Sequence, residues 1–363
     1  MRDKAFPGAM TAADARFEAQ RIAFAPIVFQ VVRVLRSRGL LRELVARRDW
    51  VDQADLEKVS GLSRYAVTVL LESALSAGIV EREAAADDVG APRWRAGAVG
   101  RVIERDPLVG INMDFVADVC YRSMDHLGEA LQEGVPAGLP ELGSWPTFYE
   151  GMSQVPEPAR SSWFSFDHHY SDHAFPHAME ILAQRGIHHI ADVGANTGRF
   201  ATAFLTRFPS ARITLCDLPQ QLVMARANLL QQGLLDRATL HPCDLLDPAS
   251  RLPEGDAAPD AFWMSQFVCC FSEEQVVAIL RRAAQALGAG RSVFVMDTFW
   301  DDQQHAAAAY CLINTSPYFA AVANGNSRMY RLDVFLSLAG RAGLSARGTW
   351  HNVGLCHTLV ELG

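Results

Sequence analysis

The stretch Ile190-Ala-Asp-Val-Gly-Ala-Asn-Thr-Gly198 constrains the fold of this chain more than any other. Its apolar start reads as a buried strand. The strand opens into a turn of small residues, where Gly194, Asn196 and Gly198 let the backbone bend and come close to a ligand before a helix begins near Arg199. An acidic residue, Asp217, ends the next apolar run, roughly 20 positions on, as in βαβ nucleotide-binding units. Strand and helix patterns then alternate: 187–193, 199–207, 212–216, 220–232, 238–242, 261–265, 273–287 and 292–297. That alternation predicts a parallel sheet with helices on both faces, an α/β architecture. Two helical stretches follow at 304–323 and 332–342, and segments 347–350 and 356–361 read as an antiparallel edge hairpin.

At 363 residues the chain is longer than one core usually serves, so a second domain is expected upstream. Apolar residues at helical spacing over 11–47, including Ile22, Phe29, Val32 and Leu35, are broken by Gly39 into two helices. From 52 to 83 the pattern is short helix, Gly61 turn, helix 63–77, Gly78 and a strand. A polar turn, Asp87-Asp-Val-Gly90, leads to a second strand at 93–96, completing a winged helix. The would-be recognition helix offers only Arg64, offset by Glu72, and the whole chain carries 41 acidic against 33 basic residues, a net charge of -8. Phosphate contacts need the opposite balance, so the helix is assigned to packing or dimerisation and no nucleic acid partner is expected. The chain divides as 1–100, a winged-helix domain; 101–180, a helical connector to the pocket; and 181–363, the nucleotide domain.

Seven scattered cysteines lack zinc or disulfide spacing, which fits a reducing, cytoplasmic setting. The N-terminus lacks the apolar core of a secretion signal, and no apolar run reaches the roughly 18 residues of a membrane span. His168, His169, His173 and His177 cluster before the nucleotide domain, but no Glu or Cys completes a ligand set; they read as pocket wall, and no metal is expected.

The turn spells Gly194-x-Asn196-x-Gly198, not the G-x-G-x-x-G that seats a pyrophosphate, so the ligand need not carry phosphates. Asp217 can accept from both hydroxyls of a ribose, and Asp244, after the third strand, can bind an adenine amino group. These positions fit S-adenosylmethionine; the alternative is that both aspartates merely cap strand ends.

Residues 187–363 resemble the catalytic domain of S-adenosylmethionine-dependent small-molecule O-methyltransferases, and 11–100 resemble their N-terminal winged-helix dimerisation domain. The matching segments are 191–198, Cys216-Asp-Leu-Pro219, Cys243-Asp-Leu245, Phe271-Ser-Glu-Glu-Gln275, 279–282, and Asn326-Ser-Arg-Met-Tyr330 before 342–344. The resemblance implies a Rossmann-like class I methyltransferase domain with an antiparallel last strand, and a homodimer with exchanged N-terminal helices. It implies that Asp192, Gly194, Asn196, Gly198, Asp217, Leu218, Asp244, Leu245 and Ser265 hold the cofactor, released as S-adenosylhomocysteine. Phe166, Tyr170, Met264, Phe267, Trp300, Asn314, Tyr318 and Arg328 are the expected acceptor contacts, and their aromatic density points to a flat aromatic or conjugated substrate. For Arg328 an ion pair with Asp333 or Asp297 is the competing reading.

The family's histidine, which takes the proton from the substrate hydroxyl, falls at Cys269 in this chain; its acidic partners fall at Asp297 and near Ser327. Cys269 is then either a thiolate base or a buried, inert thiol. Because the methyl donor is already electrophilic, positioning alone supplies much of the rate. O-methylation of an acidic hydroxyl, C-methylation with a base such as His168, His169 or His357, and a reaction without methyl transfer all stay open, as does a ligand-sensing transcriptional regulator.

Overall fold

The computed structural model describes residues 10–47, 49–83, 92–288 and 290–363. They form two compact units, one ending at Val116 and the other starting at Ala117.

In the first unit Thr11 and Asp14 form a capping box at the start of α1 (Ala12–Ser37). Gly39, at φ 72°, turns the chain into α2 (Leu40–Ala46), and β1 (Val51–Asp52) precedes α3 (Gln53–Ser60). Gly61 caps α3 in the left-handed conformation, and Ser63 accepts from Ala66 N–H to start α4 (Arg64–Ser76). Strands β2 (Val80–Arg82) and β3 (Arg93–Ala96) join β1 in an antiparallel sheet of order β1-β3-β2, followed by α5 (Ala98–Arg105) and α6 (Pro107–Phe115). This is the winged helix the sequence predicts; the turn Asp87–Gly90 lies outside the described residues. Strand β1 is two residues long, too short to show an alternation. Leu35, Leu40, Leu41, Leu56, Leu71 and Trp94 fill the core.

The second unit contains α7 (Leu127–Glu133), α8 (Phe148–Gly151) and α9 (Ala159–Gln184), a continuous helix of 26 residues. The expected helical connector is present, as short helices followed by this long one. Pro176 within the helix, and aromatic and histidine residues around its circumference, hide the apolar stripe formed by Ala174, Phe175, Ala178, Met179 and Leu182. Next come β4 (His189–Val193), α10 (Arg199–Arg207), β5 (Arg212–Asp217), α11 (Pro219–Gln231), β6 (Ala238–Pro242), β7 (Ala261–Ser265), α12 (Glu273–Leu287) and β8 (Ser292–Asp297). The chain closes with α13 (Ala306–Tyr318), α14 (Leu332–Arg341), β9 (Ala346–Val353) and β10 (His357–Leu362).

The seven-stranded sheet has the order β6-β5-β4-β7-β8-β10-β9. Strands β4 to β8 are parallel, and β10 is antiparallel to both β8 and β9. The expected antiparallel edge hairpin is present: β9 and β10 pair at the end of the sheet, with β9 outermost and β10, buried along its whole length, paired with β8. Order reverses between β4 and β7, the place where open α/β sheets bind ligands beyond the strand ends. Two apolar layers flank the sheet, one holding Phe200 stacked on Trp263 at 4.4 Å and the other Phe299 stacked on Phe335 at 5.2 Å.

Candidate cofactor cradle and active site

Strand β4 ends in a turn with three residues at positive φ: Gly194 at 78°, Asn196 at 49° and Gly198 at 75°. Gly194 has a second constraint, because a Cβ there would lie 2.2 Å from Phe267 Cδ2. Gly198 lies off the cavity and serves the start of α10, where a Cβ would meet Ala225 at 3.3 Å. Asp217 clasps the turn: its Oδ2 accepts from Asn196 N–H at 2.7 Å and its Oδ1 from Leu218 N–H at 2.7 Å. Burial nonetheless pushes its pKa up to about 6.

These residues line a cavity of about 300 Å³ at the carboxyl ends of β4, β5 and β7, walled on the far side by α9 and the end of α13. Asp192, Gly194, Asn196, Asp217, Leu218, Asp244, Leu245 and Ser265 all face it. Asp244 is also a turn residue, its Oδ1 accepting from Leu246 N–H at 2.8 Å, so the capping reading and the cavity position hold together. Four polar atoms around the cavity are buried and lack a partner among the described residues: Asp192 Oδ2, Asn196 Oδ1, Gln221 Oε1 and Ser265 Oγ. The amide oxygens of Asn196 and Gln221 can only accept, and Asp192 accepts when ionised, so these atoms await donors from a ligand. Burial, and then the nearby Asp217, push Asp192 up to about 8.

Four carboxyls in this unit (Asp192, Asp167, Asp217 and Asp297) thus sit well above the ordinary aspartate range. A raised carboxyl holds its proton to higher pH folded than unfolded, so its stabilising contribution is complete below about pH 4 and is lost as pH rises through its folded value. The melting temperature of the ligand-free protein should therefore fall as pH rises from 5 to 8.5, followed by scanning fluorimetry; a rise over that interval would contradict these environments.

The base candidates fare differently. Cys269 is buried in a single 3-10 turn, Val268–Cys270, off the cavity, with its N–H directed at Asp297 Oδ2 at 3.3 Å. The hydrogen bond with Cys270, and then burial, raise its thiol well above the usual range, so it stays protonated. Cys270, not Cys269, reaches the cavity. Asp297 is buried beneath the same turn, accepts from Thr298 N–H at 2.8 Å and is pushed up to about 6 by burial. His168 lines the cavity as a neutral ring, lowered to about 4 by burial and by Arg199. His169 packs against Tyr170 and His173 away from it. His357 is fully buried and neutral, lowered to about 3, with Nε2 3.1 Å from Gln266 Oε1. Among the described residues no group of three or more His, Cys, Asp or Glu could hold a metal ion.

Of the expected acceptor contacts, Phe166, Phe267 and Tyr318 line the cavity. The other five lie off it for local reasons. Met264 is buried within the sheet, and Tyr170 packs edge-on behind Phe166. Trp300 lies under the Arg331 guanidinium at 5.0 Å, and Asn314 Nδ2 donates to Tyr310 O on its own helix at 2.8 Å. Arg328 pairs with Glu273 at 2.9 Å, not with Asp333 or Asp297. Phe319, also expected in the pocket wall, lines it too, and residues that sequence reasoning missed complete it: Tyr149, Trp163, Asp167, Gln221, Gln266 and Phe271. Trp163 Nε1 donates to Tyr318 Oη at 2.8 Å, and Gln221 Nε2 to Tyr149 O at 2.9 Å. Gln266 follows β7 at φ 49°, unusual for a residue other than glycine and without a signature in the sequence.

Sheet order and small-residue turn together define a Rossmann-like domain of the class I methyltransferase type. A Dimerisation2-like domain model matches residues 16–87, and an O-methyltransferase domain model matches 167–345. The chain thus carries a Dimerisation2-like domain followed by an O-methyltransferase domain. It is 30% identical over 222 residues to a 2,7-dihydroxy-5-methyl-1-naphthoate 7-O-methyltransferase of Streptomyces carzinostaticus, covering 61% of either chain. It thus spans about three fifths of the length of that relative. Among solved structures, a mitomycin 7-O-methyltransferase superposes with a TM-score of 0.68 at 21% identity, over 96% of this chain and 98% of the other. An O-methyltransferase from neocarzinostatin biosynthesis, solved with S-adenosylmethionine and 2-hydroxy-5-methyl naphthoic acid, superposes with 0.64 at 21% identity, over 93% and 95%. The regulator reading finds no support among these relatives. No helix among the described residues is long and apolar enough to cross a membrane.

Proposed function

We propose that this protein methylates a hydroxyl of a small aromatic natural-product intermediate, using S-adenosylmethionine and releasing S-adenosylhomocysteine. The observation that carries the reading is the set of buried acceptors without donors at Asp192, Asn196 and Gln221, beside Asp217. The cofactor offers the missing donors: an α-ammonium for Asp192 and Asn196, ribose hydroxyls for Asp217, and an adenine amino group for Asp244. When bound, it supplies an electrophilic methyl carbon. The chain's own part is to orient, to exclude water and to accept a proton. Trp163, Phe166, Phe267, Phe271, Tyr318 and Phe319 give the rest of the cavity flat apolar walls, suited to an aromatic ring. The names of the relatives, with naphthoate and mitomycin acceptors, support that class of substrate.

The test is incubation with methyl-labelled S-adenosylmethionine and a small-molecule extract of the source organism. The reading expects the label in a methoxy group of an aromatic product. A protein that binds S-adenosylhomocysteine but labels nothing, or labels carbon, would overturn the assigned reaction.

The working form in this reading is a homodimer in the cytoplasm. Seven unpaired cysteines favour a reducing compartment. Helix α1 leaves Phe17, Ile22, Phe24 and Ile27 exposed, Ile22 at 74%, a surface that calls for a partner, and the Dimerisation2-like match covers it. Ile22→Asp should shift the protein from twice the chain mass to the chain mass in sedimentation at micromolar concentration; an unchanged dimer would place the interface elsewhere.

A further inference from the structure

The family's usual proton acceptor falls at a position where this chain places a buried, protonated thiol off the cavity, so the search for a base turns to what the cavity itself presents. Among the polar side chains lining it are Asp167 and His168 on α9, Gln266 after β7, Cys270, Asn324, whose Nδ2 donates to Cys270 O, and the phenols Tyr149 and Tyr318. The phenols hold their protons, raised well above their usual range chiefly by burial. Cys270 directs its Sγ hydrogen at Gln266 O, 3.7 Å away.

Asp167 is held from outside the cavity. Its Oδ1 accepts from Gln266 Nε2 at 3.0 Å. Gln266 is fixed by its own N–H, which donates to Met296 O at 2.8 Å, and by His357 Nε2, 3.1 Å from its Oε1. The relay His357, Gln266, Asp167 therefore fixes one carboxylate oxygen and leaves Oδ2 without a hydrogen bond from the described residues. Cys269, Asp297 and Tyr318 all lie within electrostatic range of this carboxyl.

We propose that Asp167 takes the place of the missing histidine: its Oδ2 accepts the proton of the substrate hydroxyl, while Gln266 and His357 act as positioning residues. The proposal rests on the methyltransferase reading above. As the O–H bond breaks, its electron pair stays on the substrate oxygen, which forms the new C–O bond to the methyl carbon. The methyl–sulfur pair departs with sulfur, giving the thioether, and the proton stays on Asp167 until product leaves. The carboxyl is suited to this exchange, because burial, with Asp172 and Asp297 adding and Arg199 opposing, lifts it to about 7. His168, at about 4, is the weaker acceptor. The charged and titratable groups bearing on Asp167 are Asp172 and His168 on its own helix, Arg199 on α10, Asp297 on β8, Cys269 on the turn before α12 and Tyr318 on α13.

The experiment uses the full chain and two kinds of phenol with methyl-labelled S-adenosylmethionine. One set comprises weakly acidic naphthols; the other comprises nitro-substituted naphthols already ionised at the assay pH. Asp167→Asn should lower single-turnover transfer to the weak naphthols by about a hundredfold or more and to the ionised ones by no more than a few-fold, since only the former need a base. The wild-type rate with weak naphthols should rise with pH through about 7, a limb absent from the variant. Cys269→Ser, off the cavity, should keep most of the rate. Independently of turnover, protein carrying 13C at aspartate carboxyls should show a resonance titrating near neutrality that Asp167→Asn removes. Equal losses with both classes of phenol, or a full rate with weak naphthols in Asp167→Asn, would overturn the proposal alone. A wild type that binds S-adenosylhomocysteine yet labels no phenol in either set would overturn it together with the phenol reading.

Discussion

Asp217→Ala should abolish the rise in melting temperature that S-adenosylhomocysteine gives to the intact protein. Asp217 has two tasks at once. Its carboxylate accepts from the N–H groups of Asn196 and Leu218, fixing the β4 turn against the end of β5, and it faces the cavity where ribose hydroxyls would bond. Truncation leaves two backbone donors without their acceptor, roughly 1–3 kcal/mol each where water cannot reach, and removes the ligand's own partner. Both losses weaken binding, so a fall of at least about a hundredfold in affinity, equivalent to roughly 3 kcal/mol, is expected. The melting temperature without ligand should change much less, because the buried carboxyl is itself costly: burial already raises it to about 6. Scanning fluorimetry with and without ligand separates the two effects. A variant that kept its ligand-induced shift would remove Asp217 from the cradle.

The second large effect concerns Gly194. At φ 78° a residue with a side chain is strained by roughly 1–2 kcal/mol, and here the added Cβ would also fall 2.2 Å from Phe267 Cδ2. Gly194→Val must displace the Phe267 ring, which forms part of the cavity wall and packs edge-on against Phe271 at 4.7 Å. Loss of measurable cofactor binding and a clear drop in melting temperature should follow. The two causes are separable by combining Gly194→Ala with Phe267→Ala. Removing the ring should recover the part of the stability lost to the clash and none of the part lost to φ, a non-additivity visible in a double-mutant cycle. Strict additivity would mean that the ring and the turn are not in contact.

The parts of this molecule that were legible in its sequence share a physical property: their signal is local. The apolar run before Gly194, the small residues after it and Asp217 at the end of β5 each carry their reason within a few positions, and eight of the nine residues expected from Asp192 to Ser265 line the cavity, Gly198 alone lying off it. The acceptor end was much less legible, because there the wall is assembled from α9, the turn after β7 and the end of α13, segments distant in sequence. An aromatic residue near such a segment faces either in or out by one step of helical phase. Phe166 and Tyr318 face the cavity, while Tyr310, on the same helix as Tyr318, is 64% exposed. Arg328 illustrates the same limit, since its partner Glu273 lies on α12, far from the aspartates near it in sequence. Asp167 and Gln266 gave no sign at all. A lone aspartate in a helical pattern and a glutamine after a strand are ordinary until the fold sets them 3.0 Å apart on a cavity wall. The edge hairpin of β9 and β10 was legible, but which of its strands would pair with β8 was not, because that depends on which sheet edge is open, a property of the whole sheet.

The central claim is that the cavity at the β4 turn holds an adenosyl amino acid. Calorimetric titration of the wild-type protein with S-adenosylhomocysteine, set against NAD under the same conditions, tests it most directly. The account predicts saturable binding of one S-adenosylhomocysteine per chain at micromolar affinity or tighter, with no binding of the dinucleotide, whose pyrophosphate would meet the unpaired acceptors of Asn196 and Gln221 and a turn without the G-x-G-x-x-G spacing. No saturable binding of S-adenosylhomocysteine, or tighter binding of NAD, would contradict it.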